Sequence, residues 1–503
     1  MNANLYALLH DHFAEHAEQP CLLIPGGPVI HYDDLDAASA RIAHALLAAG
    51  CHAGDRVAVQ VDKSWEALAL YLACLRAGLV YLPLNTAYRV ESANELPYFF
   101  ADADPAVIVC RAEALDPITA LRPRAAVMTL HGDPVSLLGR AEEKPEIFDT
   151  VHSRPDDLAA ILYTSGTTGR AKGAMLTHRN LGSNALTLVE QWGFTRGDVL
   201  LHALPIYHVH GLFVACHCAM LSAGRMLWLP KFDAKQVTAL LPQTTAMMGV
   251  PTFYTRLLAE PGFGAAACRT VRLFVSGSAP LLPDTFSAFK ERTGQCILER
   301  YGMTETGMNT SNPLAGERVA GTVGPALPGI SVRVVGAEGE PCAAGVVGGV
   351  EVKGPNVFVG YWGMPEKMRE EFTADGYFRT GDLGEFAPNG YLKIVGRAKD
   401  MIISGGLNIY PKEIEDKIDS LPGIFESAVI GVPDVDFGEA VTAVVVARPG
   451  AAPSESEIIS TLKAEIAAFK VPRRVHFVEN LPRNAMGKVE KSVLRQRFAA
   501  QAA

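Results

Sequence analysis

Helix-like and strand-like patterns alternate through the first third of the chain. The helical stretches include Leu35–Ala49 and Ser64–Ala77, and the short apolar runs include Val57–Val61 and Ala106–Val109. Apolar residues that recur every three or four positions favour a helix with one buried face, whereas short continuous apolar runs are typical of buried strands. Their alternation predicts an α/β domain built of layers.

Further strand-like runs in the middle of the chain lead into loops of polar residues, glycine and proline. These runs are Leu158–Leu162, Val199–Ala203, Ala246–Val250, Val271–Val275 and Ile297–Arg300. In open α/β sheets, ligands collect outside the carboxyl ends of the strands. The loops that follow the last two runs are therefore expected to line a ligand site.

The last third of the chain predicts two smaller units. Short β-like runs broken by glycine predict a small antiparallel sheet, and they are Val332–Val335, Val346–Val352 and Tyr391–Val395. We place a domain boundary at Gly396–Asp400, because polar residues after a glycine can absorb the backbone rotation of a hinge. The two predicted domains are residues 1–398 and 399–503.

Strand-like and helical segments alternate again after this boundary. The strand-like runs are Ala428–Gly431, Val441–Ala447 and Arg474–Val478, and the helices are Lys412–Leu421, Ser454–Phe469 and Lys491–Ala499. The predicted fold class is therefore α/β. It has a large N-terminal body of several subdomains with layered sheets and a small antiparallel β subdomain, followed by a small, mobile α+β C-terminal domain.

The composition argues against two classes of binding partner. Of the 503 residues, 49% are hydrophobic and 20% are charged, which suits a soluble protein with a large core. The formal charge of -9 argues against nonspecific binding to nucleic acid or to an anionic membrane. A site for an anionic cofactor must therefore be locally basic.

Cysteine usage and the N-terminal residues predict a cytoplasmic protein. The nine cysteines are scattered and form no CxxC pair, which indicates reduced thiols rather than a disulfide framework. Residues 1–19 lack the basic and apolar segments of a signal peptide, and no apolar run is long enough to span a membrane.

Glycines and hydroxyl-bearing residues crowd into Tyr163–Gly173. Backbone amides and hydroxyls of such a loop can close around an anion. The segment is not a Walker loop, because Ala171 precedes Lys172 and Gly173 follows it. A flexible surface loop is the alternative, but it would not need so many hydroxyls together with a lysine. We predict that a polyphosphate is bound by Thr164, Ser165, Gly166, Thr167, Thr168, Gly169 and Lys172.

Tyr163–Gly173 resembles the phosphate loop of the adenylate-forming superfamily, which includes acyl-CoA synthetases, adenylation domains and beetle luciferase. The resemblance extends over essentially the whole chain. Three stretches, His202–Gly211, Met247–Leu257 and Leu298–Asn312, resemble the malonyl-CoA synthetases within that superfamily.

This resemblance implies a nucleotide site. Tyr301 would stack on the adenine, Asp382 would accept the ribose hydroxyls, and Glu305 with Thr164 would bind Mg²⁺ through oxygen atoms. Besides the phosphate loop, the implied nucleotide- and CoA-binding residues are Ser278, Ala279, Pro280, Glu299, Arg300, Tyr301, Gly302, Met303, Thr304, Asp382, Arg397, Ser404, Gly405 and Gly406.

The resemblance also implies the catalytic residues. Lys488 occupies a loop of the pattern that carries the family's adenylation lysine, and it would act with Glu305 and Thr164. Rotation at the hinge residues Lys399 and Asp400 would then withdraw Lys488, so that CoA can enter. Read alone, Lys488 is one exposed lysine among many. An exposed catalytic lysine would be open to a lysine acetyltransferase.

Charged residues near the predicted site point to a small diacid. Arg256 and Arg300 flank the site with His208 opposite, and Ser278 is the fourth predicted substrate-binding residue. Such charges would be costly without an anionic ligand. Alternatives are salt bridges from Arg300 to Glu299 and from Arg256 to Glu260, a buried structural histidine at position 208, and a zinc site formed with His210, Cys216, His217 and Cys218, whose spacing matches no common zinc pattern.

The resemblance implies ATP-dependent formation of malonyl-CoA from malonate and CoA through a malonyl-adenylate, with release of AMP and pyrophosphate and with Mg²⁺ as cofactor. Methylmalonate is a second expected substrate, because one methyl group changes discrimination by only about 1–3 kcal/mol. The alternatives are a related short-chain acyl-CoA synthetase, an adenylation enzyme that loads a carrier protein, a light-emitting oxygenase and a nucleotide-sensing binding protein.

Overall fold

The computed structural model describes residues 2–92, 95–121, 123–132, 134–164, 171–450, 453–483 and 488–499. Its strands, in chain order, are β1 (Pro20–Leu23), β2 (Val29–His31), β3 (Arg56–Gln60), β4 (Val80–Pro83), β5 (Val107–Cys110), β6 (Ala126–Thr129), β7 (Leu158–Thr164), β8 (Lys172–Thr177), β9 (Val199–His202), β10 (Arg225–Trp228), β11 (Ala246–Gly249), β12 (Leu273–Ser276), β13 (Leu298–Met303), β14 (Gly307–Ser311), β15 (Ser331–Val335), β16 (Gly348–Lys353), β17 (Phe378–Phe386), β18 (Leu392–Arg397), β19 (Ile402–Ser404), β20 (Leu407–Ile409), β21 (Ile424–Asp434), β22 (Gly438–Ala447) and β23 (Arg474–Phe477).

The α-helices are α1 (Leu5–Glu15), α2 (Tyr32–Ala48), α3 (Trp65–Arg76), α4 (Leu96–Ala103), α5 (Leu115–Ala120), α6 (Leu137–Ala141), α7 (His178–Gln191), α8 (His217–Leu221), α9 (Ala234–Leu240), α10 (Pro251–Ala259), α11 (Pro283–Thr293), α12 (Pro365–Glu371), α13 (Pro411–Asp419), α14 (Glu455–Glu465) and α15 (Lys491–Ala499). None of the helices in the described ranges is long and apolar enough to cross a bilayer.

Two large sheets form the N-terminal body. One has the strand order β6-β5-β3-β4-β7-β8, and the other has the order β14-β13-β12-β11-β9-β10-β1-β2. Their central strands are parallel, and antiparallel pairs lie at the edges β7–β8, β13–β14 and β1–β2. Strands of a parallel sheet covered by helices on both faces are continuous apolar runs in the sequence. These strands were therefore predicted well from the sequence.

Helix α3 is buried along almost its whole length in the core that both sheets share. On one side Tyr71 packs against Tyr81 of β4, and on the other its hydroxyl lies 2.8 Å from Nε2 of His217 on α8. A helix that is apolar all round must be buried all round. The core therefore fixes the two sheets relative to each other.

Two smaller sheets follow, as predicted. The antiparallel sheet has the order β15-β16-β17-β18, and the C-terminal sheet has the order β20-β19-β22-β21 with β23 alongside β22. Strand β21 spans Ile424–Asp434 and is longer than the predicted Ala428–Gly431, because its whole length pairs with β22. The predicted helix Ser454–Phe469 ends at Glu465, where Ile466 takes an extended conformation.

Candidate functional site

The two ends of the predicted phosphate loop are held together by an antiparallel pair. Thr164 is the last residue of β7, Lys172 is the first residue of β8, and the two are paired in register. The Thr164 hydroxyl donates to the Lys172 carbonyl oxygen at 3.4 Å. Ser165, Gly166, Thr167, Thr168 and Gly169 lie outside the described residues, so their phosphate contacts stay a prediction.

A tyrosine links this lysine to the predicted magnesium ligand. Nζ of Lys172 lies 4.0 Å from the ring centre of Tyr361 and 2.7 Å from Oε1 of Glu371. The Tyr361 hydroxyl donates to Oε1 of Glu305 at 3.0 Å. Burial raises the pKa of the Glu305 carboxyl. The Thr164 hydroxyl and the Glu305 carboxylate are hard oxygen donors, which is the set that Mg²⁺ prefers.

Asp382, the predicted ribose ligand, is buried in β17 and is held from two sides. Nε of Arg397, its partner on β18, lies 2.7 Å from Oδ1, and the hydroxyl of Tyr301 donates to Oδ2. Burial and the neighbouring Asp382 raise the pKa of Tyr301 well above its ordinary value. Three predicted nucleotide residues from β13, β17 and β18 therefore lie together.

The remaining predicted nucleotide residues lie at the ends of neighbouring strands. Gly302 and Met303 end β13 with Thr304 after it, and Ser278, Ala279 and Pro280 follow β12. Glu299 is buried, with its pKa raised to about 8 by burial, and it accepts hydrogen bonds from the backbone N–H groups of Gly321 and Leu281.

Arg300 has a buried guanidinium that pairs with no carboxylate among the described residues. Its Nε and Nη2 atoms lack a hydrogen-bond partner within the described residues, and burial lowers its pKa to about 10. A Cβ atom at Gly277 would lie 2.3 Å from Cζ of Arg300, so the guanidinium packs directly on the bare backbone. The predicted alternative, an ion pair with Glu299, is not formed, since neighbouring strand residues face opposite sides. Such a group requires an anion.

Two histidines and a serine lie near this arginine. Oγ of Ser278 is 3.3 Å from Nδ1 of His210, and Ser278 has a left-handed φ of 72°, a strained conformation that recurs at functional sites. Nε2 of His208 and Nε2 of His210 are buried without a partner among the described atoms. Burial and Lys488 lower the pKa of His208 to about 3, and burial and Arg300 lower that of His210. Both rings are therefore neutral.

Sequence reasoning considered His210 only as a metal ligand. Within the described residues, the one group of side chains that could converge on a metal is His31, Asp33 and Asp34 at the start of α2, which does not include His210. The useful signal was the spacing of His208 and His210 at the start of a helix, which brings both to one turn.

Arg256 differs from Arg300. It is exposed on α10, and within the described residues it makes neither a hydrogen bond nor an ion pair, so the predicted bridge to Glu260 is not formed. Its contact with substrate stays a prediction.

Lys488 brings the C-terminal part of the chain to this site. Burial by surrounding atoms and the nearby Arg397 lower its pKa, while Asp382 and Glu305 act in the opposite direction. The side chain nevertheless keeps access to solvent. Lys488 therefore lies close enough to interact electrostatically with residues that are predicted to bind the ribose, Mg²⁺ and the acid.

The predicted hinge and CoA-facing residues belong to neighbouring segments. Lys399 and Asp400 lie in a short 3₁₀-helix, Ala398–Asp400, and Asp400 pairs with Arg495 of α15. Ser404, Gly405 and Gly406 form the turn between β19 and β20, where the Gly405 N–H donates to the Phe437 carbonyl oxygen at 2.8 Å. Their contact with nucleotide or CoA stays a prediction.

Comparison with known proteins gives concordant matches. The profile of the AMP-binding enzyme family matches residues 9–362, and that of the AMP-binding enzyme C-terminal domain matches residues 413–488. ATP-bound MatB from Rhodopseudomonas palustris is 53% identical, with 100% of both chains covered and a TM-score of 0.97. The apo form of the same protein gives a TM-score of 0.85.

Curated relatives divide between two substrates. The mitochondrial malonate–CoA ligase ACSF3 of Mus musculus is 38% identical, covering 88% of this chain and 82% of that protein. Feruloyl-CoA synthase from Amycolatopsis sp is 36% identical, covering 94% of this chain and 95% of that protein.

Proposed function

The chain belongs to the AMP-binding enzyme family, and we propose that it forms malonyl-CoA from malonate, ATP and CoA through a malonyl-adenylate. The observation that carries this assignment is Arg300, whose buried guanidinium pairs with no carboxylate in the part of the chain that the structure describes. A diacid can place one carboxylate there and present the other to ATP. The ring of ferulate would leave the charge of Arg300 unpaired. The similarity to feruloyl-CoA synthase is therefore weaker support for a substrate than the similarity to the malonate–CoA ligase.

In the first half-reaction, a malonate oxygen attacks the α-phosphorus of ATP. An O–P bond forms, the bond to the bridging oxygen breaks, and pyrophosphate leaves. Lys488 stabilises the negative oxygens around the α-phosphorus, and Lys172 with the phosphate loop holds the β- and γ-phosphates. Mg²⁺ held by Glu305 and Thr164 would offset phosphate charge when bound. Asp382 receives the ribose hydroxyls while Arg397 and Tyr301 fix its orientation.

In the second half-reaction, the CoA thiol attacks the acyl carbon of the adenylate and AMP leaves. Rotation at Lys399 and Asp400 withdraws Lys488 from the α-phosphate and brings the Ser404–Gly406 turn to the nucleotide, so that the thiol can approach. A single site then serves both reactions in two domain arrangements.

Four side chains are proposed to select the acid. Arg300 binds the distal carboxylate through its planar fork, and Ser278 and His208 supply hydrogen bonds. Arg256 approaches from the exposed side of α10. Methylmalonate is the competitor that this pocket rejects least, because its extra methyl group is small.

Two proposals concern the cell. Lys488 keeps solvent access, which supports acetylation of its amine by a lysine acetyltransferase, and acetylation would remove the charge that adenylation needs. The nine cysteines are all free thiols, which supports a reducing, cytoplasmic compartment. Mass spectrometry of the protein isolated from cells tests the acetylation proposal. That proposal fails if Lys488 is found only unmodified.

The deciding experiment measures AMP release with CoA and a panel of acids. The panel is malonate, methylmalonate, succinate, acetate, butyrate and ferulate. We expect malonate to give the highest kcat/KM, with methylmalonate next and the monocarboxylates at least about 100-fold lower. A preference for ferulate or butyrate would overturn the malonate assignment. A carrier-protein acceptor tested in place of CoA separates the adenylation-domain alternative.

A further inference from the structure

A half-buried lysine holds together strand ends beside the proposed acid pocket. Lys63 follows β3 of one large sheet, and its Nζ reaches the ends of β9 and β10 in the other. Nζ lies 2.8 Å from Nδ1 of His202, 2.8 Å from the His202 carbonyl oxygen and 2.7 Å from the Leu229 carbonyl oxygen. It also lies 4.2 Å from the ring centre of Trp228. Three ammonium protons thus meet three acceptors.

The geometry favours the charged form of this lysine. Burial lowers the pKa of Lys63 well below its ordinary value. The three acceptors and the face of Trp228 oppose this shift, because both stabilise the ammonium ion.

The ammonium ion fixes the tautomer of His202. Because Nδ1 of His202 accepts a proton from Lys63, the ring proton must lie on Nε2. Nε2 is 2.9 Å from the Gly211 carbonyl oxygen, to which it donates. Burial and the charge of Lys63 lower the pKa of His202 well below its ordinary value, so the ring stays neutral.

Gly211 belongs to the turn that carries the pocket histidines. The π-helix His210–Cys216 begins one residue before it, and the His208 carbonyl oxygen accepts a backbone hydrogen bond from Leu212 at 3.0 Å. A Cβ at Gly211 would lie only 2.0 Å from the Pro205 carbonyl oxygen, so this turn packs without spare room. A shift of the Gly211 carbonyl must therefore move both neighbouring histidines.

We propose that Lys63 and His202 are positioning residues for the carboxylic acid substrate. They contact neither ATP nor the acid. They hold the Gly211 turn, and through it His208 and His210, at the distance from Arg300 and Ser278 that an acid requires. The identity of the acid rests on the proposed function, but the positioning role of Lys63 and His202 does not.

The test compares KM values for the acid and for ATP in four single variants and one double variant. Lys63→Met removes the ammonium. His202→Asn keeps an acceptor near the Nδ1 position but is too short to reach Gly211, whereas His202→Gln extends toward Gly211 and loses the contact with Lys63. Asn4→Ala is the matched control, since Asn4 is buried, donates to the carbonyl oxygens of Leu75 and Val151 and to Ser153 Oγ, and lies in another part of the core.

We expect the Lys63 and His202 variants to raise the KM for malonate at least tenfold while the KM for ATP stays within twofold. The double variant Lys63→Met, His202→Asn should be no worse than the poorer single variant, because both act through one contact. Asn4→Ala should lower the Tm and leave both KM values unchanged.

The proposal is overturned if His202→Asn leaves the KM for malonate unchanged, or if Lys63→Met raises both KM values equally. His202→Asn decides the matter where Lys63→Met fails to fold. If the wild-type enzyme prefers another acid, the malonate assignment fails. The same comparison made with that acid still tests whether Lys63 and His202 are positioning residues.

Discussion

At the scale of single residues, Arg300 is expected to lower the stability of the fold and to strengthen binding of the acid. A buried guanidinium without a partner costs free energy in the empty enzyme, and an acid that pairs with it recovers that cost. We expect Arg300→Met to raise the KM for malonate at least about 100-fold, which corresponds to about 3 kcal/mol for truncating a buried charge partner. The KM for ATP should change little.

Thermal unfolding of the same variant separates binding from scaffolding. Methionine removes an uncompensated buried charge, so the Tm of Arg300→Met without ligand should equal or exceed that of the wild type. The exposed Arg256→Met is the control and should leave the Tm unchanged. A lower Tm with unchanged malonate kinetics would make Arg300 a structural residue.

Glu299 is expected to make the stability of the fold depend on pH. Burial raises the pKa of its carboxyl from 4.5 to about 8, so the protonated form stabilises the fold. That contribution is complete below about pH 4.5 and is lost as the pH rises through about 8. Between pH 5 and 8.5, Glu299→Gln should therefore gain up to about 4 kcal/mol relative to the wild type.

The measurement is the Tm difference between Glu299→Gln and the wild type across that pH range. The exposed Glu338→Gln should give a constant difference and serves as the control. A constant difference for Glu299→Gln as well would mean that this carboxyl titrates normally.

The grouping of site residues was predictable where the family motifs named them, and their roles stay predictions. The Tyr301–Glu305 string and Asp382 came from motifs, and the structure brings Tyr301, Glu305 and Asp382 into one region. Tyr361 and the Lys63–His202 pair were missed, because their partners lie 56 and 139 positions away in the chain. Periodicity describes one element at a time and carries no information about such distant pairs.

At the scale of elements, parallel strands were easier to predict than the ends of exposed elements. Buried strands such as β9 and β11 read as continuous apolar runs, so their predicted and observed bounds differ by one residue. Strand β21 extends beyond its apolar centre, and only its pairing with β22 reveals the polar ends.

The turn between β19 and β20 can be tested without touching the adenylation residues. Gly405 and Gly406 have left-handed φ values of 57° and 79°, as a two-residue hairpin turn requires. Alanine at Gly406 would cost about 1–2 kcal/mol in that conformation. If the turn lines the CoA reaction, Gly406→Ala should slow thioester formation from preformed malonyl-AMP about tenfold and leave pyrophosphate exchange unchanged.

Gly390 supplies the matched control. It has the same φ of 79° and equally open surroundings, and it lies in the turn between β17 and β18. Gly390→Ala should reproduce the loss of stability without the kinetic effect. Equal slowing in both variants would remove the assignment of the Ser404–Gly406 turn.

At the scale of the whole molecule, the proposed adenylation depends on two parts of the chain meeting at one site. Lys488 is more than a hundred residues from Asp382 in sequence, yet the Asp382 carboxylate acts to raise the pKa of Lys488. The family resemblance predicted this convergence. Composition and periodicity could not, since they predict an α/β body and an α+β C-terminal domain but not how the two are arranged.

The proposed domain rotation predicts a division between the two half-reactions. Lys399→Pro fixes one of the few backbone dihedrals that the hinge can use, because the proline ring holds φ near −65°. That value suits the 3₁₀-helix Ala398–Asp400 seen here. Pyrophosphate exchange should therefore stay within about threefold of the wild type, whereas conversion of preformed malonyl-AMP with CoA should fall at least about tenfold.

Lys399→Ala separates the backbone from the side chain. It removes the same amine but leaves the dihedrals free, so it should retain both half-reactions. Lys488→Met should give the opposite pattern to Lys399→Pro, with adenylation lost and thioester formation from preformed adenylate retained, because Lys488 acts only while it faces the α-phosphate. If Lys399→Pro and Lys488→Met depress both half-reactions equally, one fixed domain arrangement serves the whole reaction and the rotation at Lys399 and Asp400 is wrong.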